Sequence, residues 1–180
     1  MLNNYHIKKA QLNEIDEINN IYDDAKKLLK ASGSDQWQSG YPNHTTIKDD
    51  ILNDCLYILL DGEEIIGVAY INNKEEKTYL EIDGSWLNDE PYLVIHRIAT
   101  RKDHYQKGVA RTLLTYAEEI ARAQGINNIR LDTHKLNISM QSLLSKLGYQ
   151  YCGIVDLNLP KPFESKRFAY QKVINKNEHI

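Results

Sequence analysis

Apolar positions recur along this chain with two periods, and the two alternate. Residues 5–10 read as a short strand. Over residues 12–30, Ile15, Ile18, Ile21, Ala25 and Leu28 fall on one helical face, and Ser32-Gly33-Ser34-Asp35 ends that helix. A loop carrying Trp37 and Tyr41 follows, then a short helix over 45–53. Residues 55–60 and 64–72, joined through Asp61-Gly62, read as a hairpin, and residues 77–82 as a third strand. Residues 91–100 predict a strand with Tyr92, Val94, His96, Ile98 and Thr100 on one face. A helix over 108–123 buries Ala110, Leu113, Ala117, Ile120 and Ala121, and Gly125 stops it. A strand at 126–133, a helix at 138–147 stopped by Gly148, and strands at 149–155 and 168–173 complete the pattern. Strand clusters with helices between them predict an α+β fold. Its sheet is mostly antiparallel, with one strand–helix–strand crossover in the middle.

Length and composition narrow the class. The chain has 180 residues, the size of one domain. No repeat, low-complexity tract or linker divides it, so residues 1–180 are expected to form a single domain. The longest apolar stretches, such as 56–60, are too short to span a bilayer. Residues 1–10 lack the apolar run of a secretory signal. With Cys55 and Cys152 as the only cysteines, a disulfide framework is not expected and a reducing cytoplasm is the default location. The net charge of −3 argues against a nucleic-acid partner, which requires a basic footprint. Twelve tyrosines against two phenylalanines either bring rings with hydroxyls to a polar-lined pocket or reflect compositional bias alone.

Charge is unevenly placed. Residues 61–90 hold nine acids against Lys74 and Lys77, whereas 97–112 hold Arg97, Arg101, Lys102, Lys107 and Arg111 against Asp103. The basic stretch surrounds a turn in which a strand ends and a helix opens at Gly108. Amides at a helix start are unsatisfied and face outward, and the helix dipole favours an anion there. Gly108 admits a ligand close to the backbone, and Lys107 and Arg111 can pair with phosphate oxygens. One reading is a pyrophosphate cradle. The other is a plain tight turn, with Gly108 and Ala110 small for packing.

Residues 97–110 resemble motif A of the GNAT superfamily of N-acetyltransferases. Residues 137–149, an Asn opening a helix that ends in Leu147-Gly148-Tyr149, resemble the second block of that family. Tyr149-Gln150-Tyr151-Cys152-Gly153 looks like the strand that follows it, and residues 10–18 look like its usual opening. The resemblance covers most of the chain in the right order. It implies a GNAT fold: a mixed, mostly antiparallel central sheet of six to seven strands, a parallel splayed pair in its middle, and helices on both faces. It further implies acetyl-CoA as acetyl donor, no metal, and direct transfer to a primary amine of a small molecule or peptide without a covalent enzyme intermediate. The alternative is a non-catalytic acyl-CoA-binding module. Homodimers are frequent among GNAT relatives.

The same resemblance assigns roles. Backbone groups of Ile98 and Thr100, with Ala99 between them, hold the pantetheine arm, and an N–H near Ile98 polarises the thioester carbonyl. The backbone of Gln106, Lys107, Gly108, Val109 and Ala110 cradles the pyrophosphate, with Lys107 and Arg111 beside it. Asn137 hydrogen-bonds the pantetheine, a role compatible with capping its helix, and Met140 lines the apolar wall or packs in the core. The chain departs from the family pattern twice. Tyr105 stands where Arg or Gln is frequent. Leu144 stands where many members carry a Tyr that protonates the departing thiolate; either a water or nearby Ser145 supplies that proton, or the thiolate leaves unassisted, and the departure gives the binding-module alternative some weight. The attacking ammonium must lose a proton. Asp132, five residues before Asn137, and His96, two before Ile98, are the leading acceptors; His134, Glu81 and ordered water are weaker ones. Trp37, Tyr41 and Trp86 are candidates to line the acceptor pocket, although a Trp can equally anchor its loop to the core. Glu81 and Asp83 suit a cationic amine.

Overall fold

Polar side chains mark where three of the helices begin. The Gln11 amide donates to Glu14 Oε2 at 2.7 Å, holding a 3-10 turn at Leu12–Glu14 that leads into α1 (Ile15–Ala31). Asn43 Oδ1 accepts from the Thr46 amide at 3.1 Å at the start of α2 (His44–Leu52). Asn137 Oδ1 accepts from the Met140 amide at 3.3 Å at the start of α4 (Ile138–Lys146). Each bond satisfies an amide that the first helical turn leaves open. The remaining helix, α3 (Val109–Ala123), begins directly after Gly108.

The computed structural model describes residues 5–174. Residues 1–4 and 175–180, which the single-domain expectation takes in, lie outside the described residues. Two compact units divide the chain. One takes in residues up to Ile71 together with His96–Thr115; the other takes in Asn72–Ile95 together with residues from Tyr116 onward.

In the first unit, β1 (Tyr5–Lys9) pairs antiparallel with β2 (Leu56–Asp61), which turns through Gly62 into β3 (Glu64–Asn72). Buried on these strands are Leu56, Ile58, Leu60, Ile65 and Val68. They pack with Ile18, Ile21, Tyr22 and Ala25 of α1 and with Ile47 of α2. Burying each of the larger aliphatic side chains contributes roughly 1.5–3 kcal/mol.

In the second unit, β6 (Asn128–Thr133) and β7 (Gln150–Asp156) each pair antiparallel with β8 (Lys166–Val173). The short β4 (Ile82–Gly84) pairs antiparallel with β7. Its core groups Tyr79, Val94, Val155 and Ala169 with Trp86 and Tyr92. β5 (Leu93–Thr100) and α3 each contribute residues to both units. β5 runs parallel to β6 in a register of two residues, Leu93↔Ile129 and Val94↔Arg130. The hydrogen-bonded order of strands is β1-β2-β3-β5-β6-β8-β7-β4. Among the described residues no helix is long and apolar enough to cross a membrane, and Cys55 and Cys152 are both free thiols.

The sheet is mixed and mostly antiparallel, as expected, but among the described residues it has eight strands rather than six to seven. Three further expectations need correction. Residues 77–82 are not a strand: Lys77–Tyr79 is a 3-10 turn that buries Tyr79, and only Ile82–Gly84 is extended. The alternating face of β5 breaks at Arg97, whose φ is +50°. A left-handed residue inside a strand displaces the alternation by one. Hence Ala99, rather than Ile98 or Thr100, joins the core of the first unit. On α3, Leu114 and Glu118 are buried, whereas Ala110 and Ile120 are half-buried.

Candidate functional site

The connection from β5 to α3 is built from backbone. After Thr100 the Arg101 amide donates to Ile66 O at 2.8 Å. A 3-10 turn at Lys102–His104 follows, and the chain enters α3 through two left-handed residues, Gln106 (φ +61°) and Gly108 (φ +86°). The first bond into the helix runs from the Thr112 amide to Gly108 O at 2.9 Å. Among the described residues, the amides of Gln106, Gly108, Val109, Ala110 and Arg111 have no acceptor. A Cβ built on Gly108 meets nothing within 4 Å, so the position its side chain would take is open. Lys107 and Arg111 are exposed, and among the described residues neither has an ion-pair partner. Open amides at a helix start beside two cations without ion-pair partners are an arrangement that favours an anion. The basic cluster is smaller than its sequence suggests. Arg101 is held by Glu17 at 2.9 Å and by Glu64 at 3.1 Å, and Arg97 by Asp50. Lys102, Lys107 and Arg111 remain.

One turn upstream, Arg97 is gripped from several sides. Its Nη2 meets Asp50 Oδ2 at 2.5 Å, and Nη1 donates to the Tyr41 hydroxyl. The guanidinium lies 4.3 Å from the centroid of the Tyr70 ring, and the backbone carbonyl accepts from the Tyr22 hydroxyl at 3.0 Å. Burial pushes the Asp50 carboxyl above the usual carboxylate range, against the pull of Arg97, and pushes the Tyr22 hydroxyl well above the usual phenol range. His96 stacks on Tyr70 at 6.0 Å between centroids. Trp37 packs edge-on against Tyr22, 5.7 Å between centroids, and joins the core of this unit. Tyr41 is exposed and its hydroxyl meets Arg97.

In the second unit Tyr79 bonds to two of the candidate residues. Its hydroxyl donates to Asp132 Oδ2 at 2.7 Å, and its carbonyl accepts from Trp86 Nε1 at 2.9 Å. Burial, with the Asp132 charge behind it, pushes the Tyr79 hydroxyl far above its ordinary range, so it stays a donor. Trp86 in turn lies under the Arg130 guanidinium, 4.4 Å from its centroid, and Tyr92 faces the same cation at 4.1 Å. Trp86 is half-buried. His134 is buried, and its Nδ1 accepts from the Leu136 amide at 3.1 Å. Met140 is half-buried, Glu81 is exposed beside β4, and Leu144 is fully buried. A buried leucine offers no proton to a leaving group. Among the described residues no cluster of three or more His, Cys, Asp or Glu side chains is arranged to hold a metal ion.

The structure therefore brings Ile98, Ala99, Thr100, Gln106, Lys107, Gly108, Val109, Ala110 and Arg111 into one strand–turn–helix segment. It links Asp132 and Trp86 through Tyr79. Sequence reasoning overlooked Tyr22, Asp50, Tyr70 and Tyr79. Each looks like an ordinary apolar-face or surface residue in the sequence, and its role appears only once the fold supplies the distant partner. For Tyr22, the helical face that places Ile18, Ile21 and Ala25 inside was the available signal.

Comparisons with known proteins bear on the family and the fold. The family model described as the acetyltransferase (GNAT) family matches residues 16–149. A crystal structure of a GNAT-family acetyltransferase from Streptococcus agalactiae is 38% identical, covers 96% of each chain and superimposes with a TM-score of 0.84. The paiA N-acetyltransferase of Thermoplasma acidophilum, solved with coenzyme A, is 16% identical over 94% of this chain and 98% of its own, with a TM-score of 0.70. At that identity the likeness concerns the fold. The human protein N-acetyltransferase 8B is 23% identical over 99 residues, 55% of this chain, and the match spans only 40% of its length.

Proposed function

The chain belongs to the GNAT family of acetyltransferases, and from that premise we propose that it transfers the acetyl group of acetyl-CoA directly to a primary amine of a small molecule or peptide. The observation that carries this reading is the open start of α3. Among the described residues the amides of Gln106, Gly108, Val109, Ala110 and Arg111 lack acceptors, and the space a Gly108 side chain would fill is empty. A diphosphate suits that combination better than any neutral group does. In this reading the amides of Gln106, Gly108, Val109 and Ala110 bind the pyrophosphate, and Lys107 and Arg111 add charge beside it. The donor lies along β5, where the backbone of Ile98 and Thr100 holds its pantetheine arm. The Ile98 N–H faces the acyl oxygen, on which negative charge grows as the amine attacks. Asn137 and Met140 keep their proposed roles on the pantetheine.

Asp132 is the proposed acceptor of the proton that the ammonium must lose, with His96 as the alternative. Support for Asp132 comes from the Tyr79 hydroxyl, which fixes one carboxylate oxygen at 2.7 Å and so orients the group. The thiolate leaves without help from Leu144; a thiol with pKa near 8.5 needs little assistance. Trp37, Tyr41, Glu81 and Trp86 remain the proposed contacts to the acceptor.

An amine panel incubated with acetyl-CoA, read by thiol release and by mass spectrometry of the acceptor, tests the assignment. The expected result is stoichiometric thiol and a singly acetylated amine. Tight CoA binding with no turnover on any amine would replace the enzyme by an acyl-CoA-binding module.

A further inference from the structure

The acetyl-CoA reading gives the Ile98 amide its task, and the peptide that carries this amide has a buried hydrogen-bond partner. The Arg97 carbonyl and the Ile98 N–H belong to one peptide unit. That unit is planar and trans, so its C=O and N–H point in opposite directions and turn together. The carbonyl accepts a hydrogen bond from the Tyr22 hydroxyl at 3.0 Å. Tyr22 is fully buried on α1 with its ring perpendicular to that of Trp37, so the donor is fixed in place. A bond accepted at the carbonyl also polarises the N–H of the same unit.

Arg97 itself sits at φ +50°, a conformation that a non-glycine residue holds only when its surroundings enforce it. Its side chain supplies that enforcement through Asp50, Tyr41 and the Tyr70 ring.

We propose that Tyr22 and Asp50 are positioning residues for acyl transfer. Tyr22 sets the plane of the Arg97–Ile98 peptide and Asp50 holds the Arg97 side chain, and together they aim the Ile98 N–H at the acyl oxygen. The inference rests on the acetyl-CoA reading above. Tyr22 never touches the donor; it acts through the peptide it orients. Because burial keeps its hydroxyl protonated far above neutral pH, the aim is the same at any working pH.

The test uses acetyl-CoA labelled with carbon-13 at the acyl carbonyl, bound to the full chain and read by isotope-edited infrared spectroscopy. Bound to the unaltered protein, the carbonyl stretch should lie below that of the free thioester. In Tyr22→Phe at least half of that downshift should be lost, and in Asp50→Asn a smaller part of it. CoA affinity, measured by calorimetry, should stay close to the unaltered value in both. With an identified amine, Tyr22→Phe should lower kcat about tenfold, with little change in KM, since the donor is misaimed rather than removed. Tyr149→Phe removes another deeply buried hydroxyl and should keep the full downshift.

A downshift that persists in both Tyr22→Phe and Asp50→Asn overturns the proposal while leaving the acetyl-CoA reading intact. So does a Tyr149→Phe variant that loses as much as Tyr22→Phe. If Tyr22→Phe does not fold, an unchanged stretch in Asp50→Asn overturns it. Failure of the unaltered protein to bind acetyl-CoA overturns the functional reading, and the positioning roles with it.

Discussion

Asp132 shows how one side chain acquires a candidate role from a partner far away in sequence. Its carboxylate is oriented by Tyr79 across 53 residues of chain. If it accepts the amine proton, Asp132→Asn should lower kcat by about 10²–10⁴ and leave CoA affinity, measured by calorimetry, unchanged. Full turnover in that variant moves the role to His96 or water. Asp50 gives a pH prediction. Burial raises its carboxyl above the ordinary range in the folded state, so the fold binds that proton more tightly than the unfolded chain does. Stability from this group therefore rises as pH falls between the ordinary and the folded value. Denaturant titrations of the protein and of Asp50→Asn should show the difference shifting in favour of Asp50 as pH is lowered from neutral; a shift the other way contradicts the assignment. At this scale the sequence was partly readable. Gly108 and the capping Asn137 stood out because glycine and asparagine announce their backbone roles. The left-handed Arg97 did not, because nothing about an arginine signals positive φ. The pairing of Arg101 with Glu17 and Glu64 was equally hidden, so the turn looked more basic than it is.

Among the elements, β3 and α3 meet closely through a residue without a side chain. A Cβ on Gly67 would come within 2.4 Å of Val109 Cγ1 and 3.2 Å of Leu113 Cδ1. Gly67→Ala should therefore cost about 1–3 kcal/mol of unfolding free energy, measured by urea titration, and should weaken CoA binding by displacing the start of α3. A variant as stable as the parent means the helix has room to move. The helices and the β2–β3 hairpin were legible because periodicity, caps and the Asp61-Gly62 turn are local signals. Residues 77–82 were misread for the opposite reason. Their apolar and aromatic content suits a strand, but Tyr79 is drawn into a cluster with Trp86 and Tyr92 and the backbone coils to deliver it. The pairing of β4 with β7 depends on Gly84 and Gly153, where a Cβ on either would lie 2.2 Å from a backbone oxygen of the other strand. Both glycines are visible in the sequence; that they face each other is not.

For the whole molecule, donor binding and thermal stability are linked. A ligand held only by the folded state adds about 2.7 kcal/mol at a hundred times its Kd, which for a chain of this size raises Tm by roughly 5–10 °C. Coenzyme A should produce that rise in a melting experiment. The family and the strand–turn–helix were readable at this scale because two separate blocks of sequence agreed in order. The acceptor was not, since its contacts depend on loops whose positions come from packing. The most direct test of the account is calorimetric titration of coenzyme A into the unaltered protein and into Gly108→Glu, with folding of the variant verified by circular dichroism. The glutamate should fill and charge the space before the α3 amides, and binding should fall at least about a hundredfold, the equivalent of roughly 2.7 kcal/mol. A folded Gly108→Glu protein with unaltered affinity would mean that the diphosphate is held elsewhere.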